Sequence, residues 1–205
     1  MRTHTDEQQL FEGLDPVWRK AFAKATLQVI RADFAKMVTV YKYGGIAVDL
    51  DVSPVVNPQL WQGIRDCDTI FGLELACMLR SRNCAWPLAR SFQLCFWAFA
   101  GRANSTFLRR LIEAAAANIL GQRLLSHLPN ESVQDVAGSG LLTDYVSLEF
   151  ERHGMSYFDT MQRGQTVHLR GENGAPGLCI LPLQFFSRGG YVNHAFEGSW
   201  KPGHR

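Results

Sequence analysis

The stretch Tyr41-Lys42-Tyr43-Gly44-Gly45-Ile46-Ala47-Val48-Asp49-Leu50-Asp51-Val52 decides the fold of this chain. Ile46-Ala47-Val48 is a short apolar run behind two glycines, and it reads as a buried strand that carries two acids at its far end. Gly44 and Gly45 suit a left-handed helix stop and a tight reversal. Upstream, Leu27, Ile30, Phe34, Met37, Val38 and Tyr41 recur three or four residues apart, so they line one face of a helix that begins near Phe22. A helix that feeds a strand ending in acids belongs to an α/β fold, in which ligands sit at the carboxyl ends of the strands.

Outward from this block the signals are weaker. The first 22 residues read as irregular, broken by Gly13 and Pro16, and leave one domain over 23–205. Thr69 to Leu75 reads as a second strand, and Arg80 to Arg90 as irregular. Phe107, Leu108, Leu111, Ile112, Ala115 and Ile119 repeat with helical spacing behind Ser105 or Thr106 as a cap. Leu142 to His153 reads as a shorter helix stopped by Gly154. Thr166–Leu169 and Leu178–Leu181 read as a strand pair around the turn-rich 171–177.

Composition bounds the function. The 205 residues suffice for one α/β domain with a sizeable core. A net charge of +2 marks neither a nucleic-acid nor a membrane surface. Cys67, Cys77, Cys84, Cys95 and Cys179 show no paired short spacing, so no zinc or redox motif is readable, and an odd count leaves at least one unpaired within the chain. No apolar run is long enough to cross a bilayer, and the first residues lack the apolar core of a signal peptide.

Alternate residues of a strand share a face, so Asp49 and Asp51 are expected to point together while Leu50 packs on the other side. Two carboxylates held together are costly unless a cation neutralises them, and oxygen ligands favour Mn2+ or Mg2+. The bland reading of a bare Asp-x-Asp is a solvated strand end, and for the tripeptide alone it is preferred.

The surroundings change that balance. Arg31-Ala32-Asp33, Tyr41 to Gly45 and Ile46 to Val52 together resemble the Asp-x-Asp (DXD) sugar-binding region of glycosyltransferases of the initiation-specific α-1,6-mannosyltransferase type. The resemblance continues through Phe71-Gly72-Leu73-Glu74, Gln93 to Trp97, Val133 to Asp144, Ile180-Leu181-Pro182, His194 and Phe196 to Lys201. It implies a GT-A (Rossmann-like) fold and a metal-dependent transfer of a hexose, mannose from GDP-mannose by the closest resemblance, to a glycan or glycoprotein acceptor. It implies Asp49 and Asp51 as catalytic residues that hold Mn2+ or Mg2+ with His194. Arg31, Asp33, Gly44, Gly45, Ser199 and Trp200 form the implied donor-binding set, with Ser199 and Trp200 closing on the diphosphate. A Golgi lumenal or membrane-associated setting follows from the same family, with no nucleic-acid partner.

Departures from the family pattern fall at Lys36-Met37, where the family has Arg-Tyr, at Ala137-Gly138-Ser139-Gly140 in place of Thr-Gly-Pro-Gly, at Asn104-Ser105-Thr106 in place of Gly-His-Pro, and at His194-Ala195 in place of two histidines. The family's usual first strands are missing from residues 1–22, so the chain is expected to lack the first strand of the sheet, as a shortened member. Two rival readings stand beside this one: a haloacid-dehalogenase-type phosphatase, with Asp49 as nucleophile, and a truncated, non-catalytic glycosyltransferase-like protein. Val52-Ser53-Pro54 after the acids fits the phosphatase pattern poorly.

Overall fold

The computed structural model describes residues 7–54, 66–76, 89–122, 132–185 and 192–194. The segment expected to be irregular is helical: α1 spans Glu7–Phe11 and α2 spans Pro16–Lys24. Pro16 opens α2 rather than breaking it. It sits in the first turn, where its missing N–H costs nothing, and Asp15 caps the helix by accepting from the Val17 amide at 2.8 Å. Trp18, 3% exposed, packs edge-on against Tyr41. The Lys42 ammonium donates to the carbonyls of Gln9, Leu10 and Glu12, which satisfies the open end of α1.

Helix α3 spans Gln28–Tyr43 and buries Phe34, Met37 and Val38 of the expected face, with Val40 beside them, but it begins after a break at Ala25 rather than near Phe22, so that Leu27 is its N-cap and half exposed. Each large apolar side chain so buried stabilises the fold by about 1.5–3 kcal/mol. Gly44 ends the helix at φ 67° and Gly45 follows at φ 109°, both in the region where a side chain is strained. A Cβ on Gly44 would also lie 3.0 Å from the Ala103 amide nitrogen.

Strand β1 is Gly45–Val48 and β2 is Val52–Pro54. They are followed by β3, Cys67–Ala76, then β4, Phe92–Leu94, and β5, Ala98–Gly101. Helix α4, Thr106–Leu120, is capped by Ser105, whose hydroxyl accepts from the Leu108 amide, and is stopped by Gly121 at φ 81°. Helices α5, Val133–Ala137, α6, Ser139–Arg152, and α7, Tyr157–Gln162, precede β6, Val167–Leu169, and β7, Gly177–Leu181. Strand β8 is Val192–His194.

The main sheet runs β1-β5-β3-β7-β6, with β4 pairing on the far half of β3. Strands β1, β3 and β7 run in one direction, and β5, β6 and β4 run against them. This mixed α/β sheet has the character of a GT-A-like fold. Its larger core, between one face and helices α1 to α7, contains Phe34, Phe71, Leu108, Leu111, Ile112, Leu142 and Ile180. The opposite face carries a smaller cluster of Cys67, Ile70, Cys95, Trp97, Ala98, Cys179 and Leu181. A disulfide joins Cys67 to Cys179 across 112 residues, and Cys95 is a buried free thiol. Closing a loop of that size contributes about 4–5 kcal/mol in the chain-entropy account. Cys77, Cys84 and most of the stretch read as irregular between Arg80 and Arg90 lie outside the described residues.

Candidate active site at the carboxyl end of the sheet

Two expectations for the acid pair are corrected. Strand β1 is not buried: among the described residues it is the edge of the sheet, paired only with β5, and Ile46 and Val48 are nearly half exposed. The strand also stops at Val48, one residue before the acids. Asp49-Leu50-Asp51 forms a turn closed by the Val52 amide donating to the Asp49 carbonyl at 3.1 Å, and Leu50 is 107% exposed rather than packed. The two acids are therefore placed by a turn instead of by strand alternation. The consequence is similar, because a tight turn keeps both close at one strand end.

That end is the carboxyl end of β1, β3 and β7. The Asp49 amide donates to the Trp97 carbonyl at 2.8 Å and continues the β1–β5 register by one step. The turn then leads into β2, which pairs antiparallel with β8 so that Val52 faces His194. The backbone of His194, the third expected metal ligand, is thereby set opposite Val52, the residue after Asp51, from far along the sequence. The chemistry of the two carboxylates fits a divalent cation of the Mn2+ or Mg2+ type.

The centre of the site is Lys36. Its ammonium lies 2.5 Å from Asp49 Oδ1, 3.0 Å from Asp33 Oδ1 and 3.1 Å from the Phe96 carbonyl it donates to, and it sits 5.0 Å from the centroid of the Phe96 ring. Asp33 and Lys36 are three residues apart on α3 and so share a face. Burial pushes the Asp33 carboxyl up to about 6, against the opposing pull of the Lys36 ammonium. The two acids hold the Lys36 ammonium above its ordinary value despite burial. Lys36 thus offsets part of the negative charge that Asp33 and Asp49 bring to this end of the sheet.

Asp33 is closed in from the other side by Gly138, where a Cβ would come within 3.4 Å of Asp33 Oδ2. The α5–α6 junction that supplies Gly138 is fixed by Arg90, which donates to both carboxylate oxygens of Asp144 and pairs with Asp135 at 3.0 Å. On the strand side, Glu74 near the end of β3 accepts from Gln93 Nε2 at 2.7 Å and from Trp97 Nε1 at 3.2 Å. Asp49, Trp97 and Glu74 are therefore linked through one residue.

Not every expected donor residue gathers here. Arg31 turns away, over the Phe22 ring and toward Glu7 at 3.8 Å. Gly44 and Gly45 lie at the opposite end of β1 from Asp49, opposite Gly101, where they make the reversal between α3 and β1. Ser199 and Trp200 lie outside the described residues. Residue reading assigned no role to Lys36, Glu74 or the Arg90–Asp144 pair. The i, i+3 spacing of Asp33 and Lys36 was the one local signal for the first, whereas the other contacts join residues 19 and 54 apart.

Residues 1–68 match the family described as glycosyltransferase sugar-binding region containing DXD motif. That match covers the part of the chain that holds Asp33, Lys36, Asp49 and Asp51. Over 203 residues it is 26% identical to the initiation-specific α-1,6-mannosyltransferase of Schizosaccharomyces pombe, an alignment covering 89% of this chain and 49% of that protein. The chain spans about half the length of that relative.

Proposed function

We propose that this chain is the catalytic region of a metal-dependent glycosyltransferase that takes mannose from GDP-mannose and transfers it to a glycan or glycoprotein acceptor in the manner of an α-1,6-mannosyltransferase. The observation that carries the reading is the meeting, at the carboxyl end of the sheet, of the Asp49–Asp51 turn, the Asp33–Lys36 pair and the β2–β8 pairing that sets the backbone of His194 opposite Val52. The DXD match over residues 1–68, which include Asp33, Lys36, Asp49 and Asp51, and the similarity to a mannosyltransferase support the proposed class and sugar.

Asp49, Asp51 and His194 are the residues that would hold Mn2+ or Mg2+, which DXD-type transferases typically use. When bound, the ion supplies Lewis-acid stabilisation of the negative charge that develops on a departing diphosphate. The chain's own residues do the positioning. Asp33, partly buried between Lys36 and Gly138, offers acceptor oxygens to a sugar or ribose hydroxyl. Lys36 keeps Asp33 and Asp49 from repelling each other. Trp97 fixes the turn through its carbonyl and Glu74 through its indole N–H. The proposed setting is the secretory pathway, in the Golgi lumen or associated with its membrane, which the similarity to the mannosyltransferase supports; no helix among the described residues is long and apolar enough to cross a membrane.

The test is calorimetric titration of GDP into the chain with and without Mn2+, for wild type, Asp49→Asn and Asp51→Asn, alongside hydrolysis of a nucleotide-sugar panel. Metal-dependent GDP binding should weaken by about 100-fold in either variant, as loss of one partner from a charge site costs about 3 kcal/mol. Undiminished binding in both variants removes the site, and Asp49-dependent turnover of a phosphomonoester would favour the phosphatase reading.

A further inference from the structure

At the other end of the sheet three adjacent strands each place one metal-binding side chain on the same face. β3, β7 and β6 are neighbours in that order, and they carry Cys67, Cys179 and His168. His168 stands directly opposite Cys179 in the antiparallel β6–β7 register, and its Nδ1 lies 3.2 Å from the Cys179 sulfur. Cys67 joins them through a bulge. Two residues of β3 span one of β7 between the Cys67–Gly177 and Thr69–Leu178 pairs, which turns Cys67 onto the face of Ile70 and Cys179. The Cα atoms of the two cysteines are held 5.7 Å apart by the backbone ladder.

The ligating atoms of Cys67, His168 and Cys179 all lie within 4.8 Å of one another. Two thiolates and an imidazole form a donor set that selects Zn2+ over the hard cations suited to the carboxylates at the far end. Around a tetrahedral zinc, with bonds of about 2.0–2.3 Å, ligand atoms stand about 3.5–3.8 Å apart. Opening the sulfur–sulfur bond and rotating two short side chains on a fixed backbone reaches that spacing. The two cysteines are buried, while His168 is exposed and opens onto a cleft of about 330 Å³ lined by Asp66, Arg170, Pro176, Gly177 and Cys179. The cleft gives an ion a way in and leaves a fourth position for water.

We propose that Cys67, Cys179 and His168 form a thiolate metal site that takes Zn2+ when the disulfide is reduced, so that β3 and β7 stay cross-linked in either redox state. Reduction by a dithiol transfers two electrons and two protons to the disulfide and leaves the dithiol itself oxidised to a disulfide. Zn2+ then displaces the two thiol protons and accepts an unshared electron pair from each sulfur and from His168. Cys95 takes no part: it is fully buried, and that burial pushes its thiol well above the ordinary range.

The experiment uses the whole chain, reduced or oxidised, titrated with Co2+ as a spectroscopic stand-in for Zn2+. Sulfur-to-cobalt charge transfer in the near ultraviolet reports thiolate ligation alone, so ions at Asp49 and Asp51 do not contribute. Reduced protein should gain the band at one equivalent and lose it to Zn2+, and oxidised protein should lack it. Cys67→Ser, Cys179→Ser and His168→Ala should each weaken binding at least tenfold, and Cys95→Ser should leave it unchanged. No band in folded reduced protein, or a band that survives the Cys67→Ser/Cys179→Ser double variant, overturns the proposal. If reduction unfolds the chain, recovery of the native circular dichroism on adding Zn2+, lost in His168→Ala, supports it, and failure of Zn2+ to restore the fold overturns it.

Discussion

Replacing Lys36 by Met tests the electrostatics of the proposed donor site without touching a carboxylate. Met keeps the length and apolar stem of the side chain, so the change removes chiefly the ammonium between Asp33 and Asp49. Asp33 already sits at about 6 with Lys36 beside it, because burial outweighs the ammonium's pull. Without that pull its carboxyl rises further. The sign follows from linkage: the unfolded carboxyl has the ordinary value near 3.8, the folded one lies above it, and the folded state therefore takes up the proton first as pH falls. A penalty fully present above the folded value is relieved between there and about 4. At pH 8 the variant must bury an unpaired Asp33 carboxylate or protonate it, at about 1.4 kcal/mol per unit of further shift. Removing one partner of a fully buried pair costs about 3–5 kcal/mol. Asp49 is more than a third exposed and Asp33 can take a proton, so the loss expected for Lys36→Met at pH 8 is about 2 kcal/mol. At pH 5 Asp33 is mostly neutral in both proteins and the loss should shrink to below about 1 kcal/mol. Urea unfolding of both proteins in chelator at pH 8 and pH 5 measures the difference. An equal loss at the two pH values, or a larger one at pH 5, would show that Asp33 is not held charged by Lys36 and would refute the reasoning.

Two further outcomes test the supports of the site and of the sheet. Gly140→Ala gains up to about 1 kcal/mol of helix propensity but places a Cβ 2.5 Å from Asp135 Oδ1, a carboxylate already tied to Arg90 and to Ser132, so thermal unfolding should show a net loss of about 1–2 kcal/mol. Arg90→Ala made first should remove most of that penalty, since Asp135 is then free to move. His153 sets its two ring nitrogens 2.8 Å from the Glu149 carbonyl and 3.0 Å from the Arg170 carbonyl, and both contacts hold only when both nitrogens are protonated. Those carbonyls raise its pKa. Its stabilising contribution is therefore present below the unfolded value near 6.5 and lost as pH rises through the folded value, so stability should slope downward as pH rises above 6.5 and His153→Gln should flatten that slope in urea midpoints measured from pH 6 to 9.

The sequence by itself determined the elements whose cause is local. Helix α3 and its Gly44 stop, α4 behind the Ser105 cap, α6, and the β6–β7 pair follow from apolar spacing and from residues that cap or turn within four positions. It also marked Asp33, Asp49, Asp51 and His194, because a family pattern in chain order carries them. What it misjudged depends on neighbours distant in the chain. Val48 and Ile46 look buried by composition, yet β1 has a partner along one side only among the described residues, and burial needs cover that no window of sequence reveals. Pro16 looks like a breaker until Trp18 and the Lys42 ammonium dock helices α1 and α2 onto α3. Strands β4 and β5 are short, with little alternation of their own, and exist because β3 and β1 offer them hydrogen bonds. The Lys36 bridge, the pairing of His194 with Val52 and the Cys67–His168–Cys179 cluster join residues from 11 positions apart to 112 and beyond. Only chain closure in three dimensions brings such groups together. The residue types in a sequence state which chemistry is available, and the packing of the sheet decides which of those groups meet.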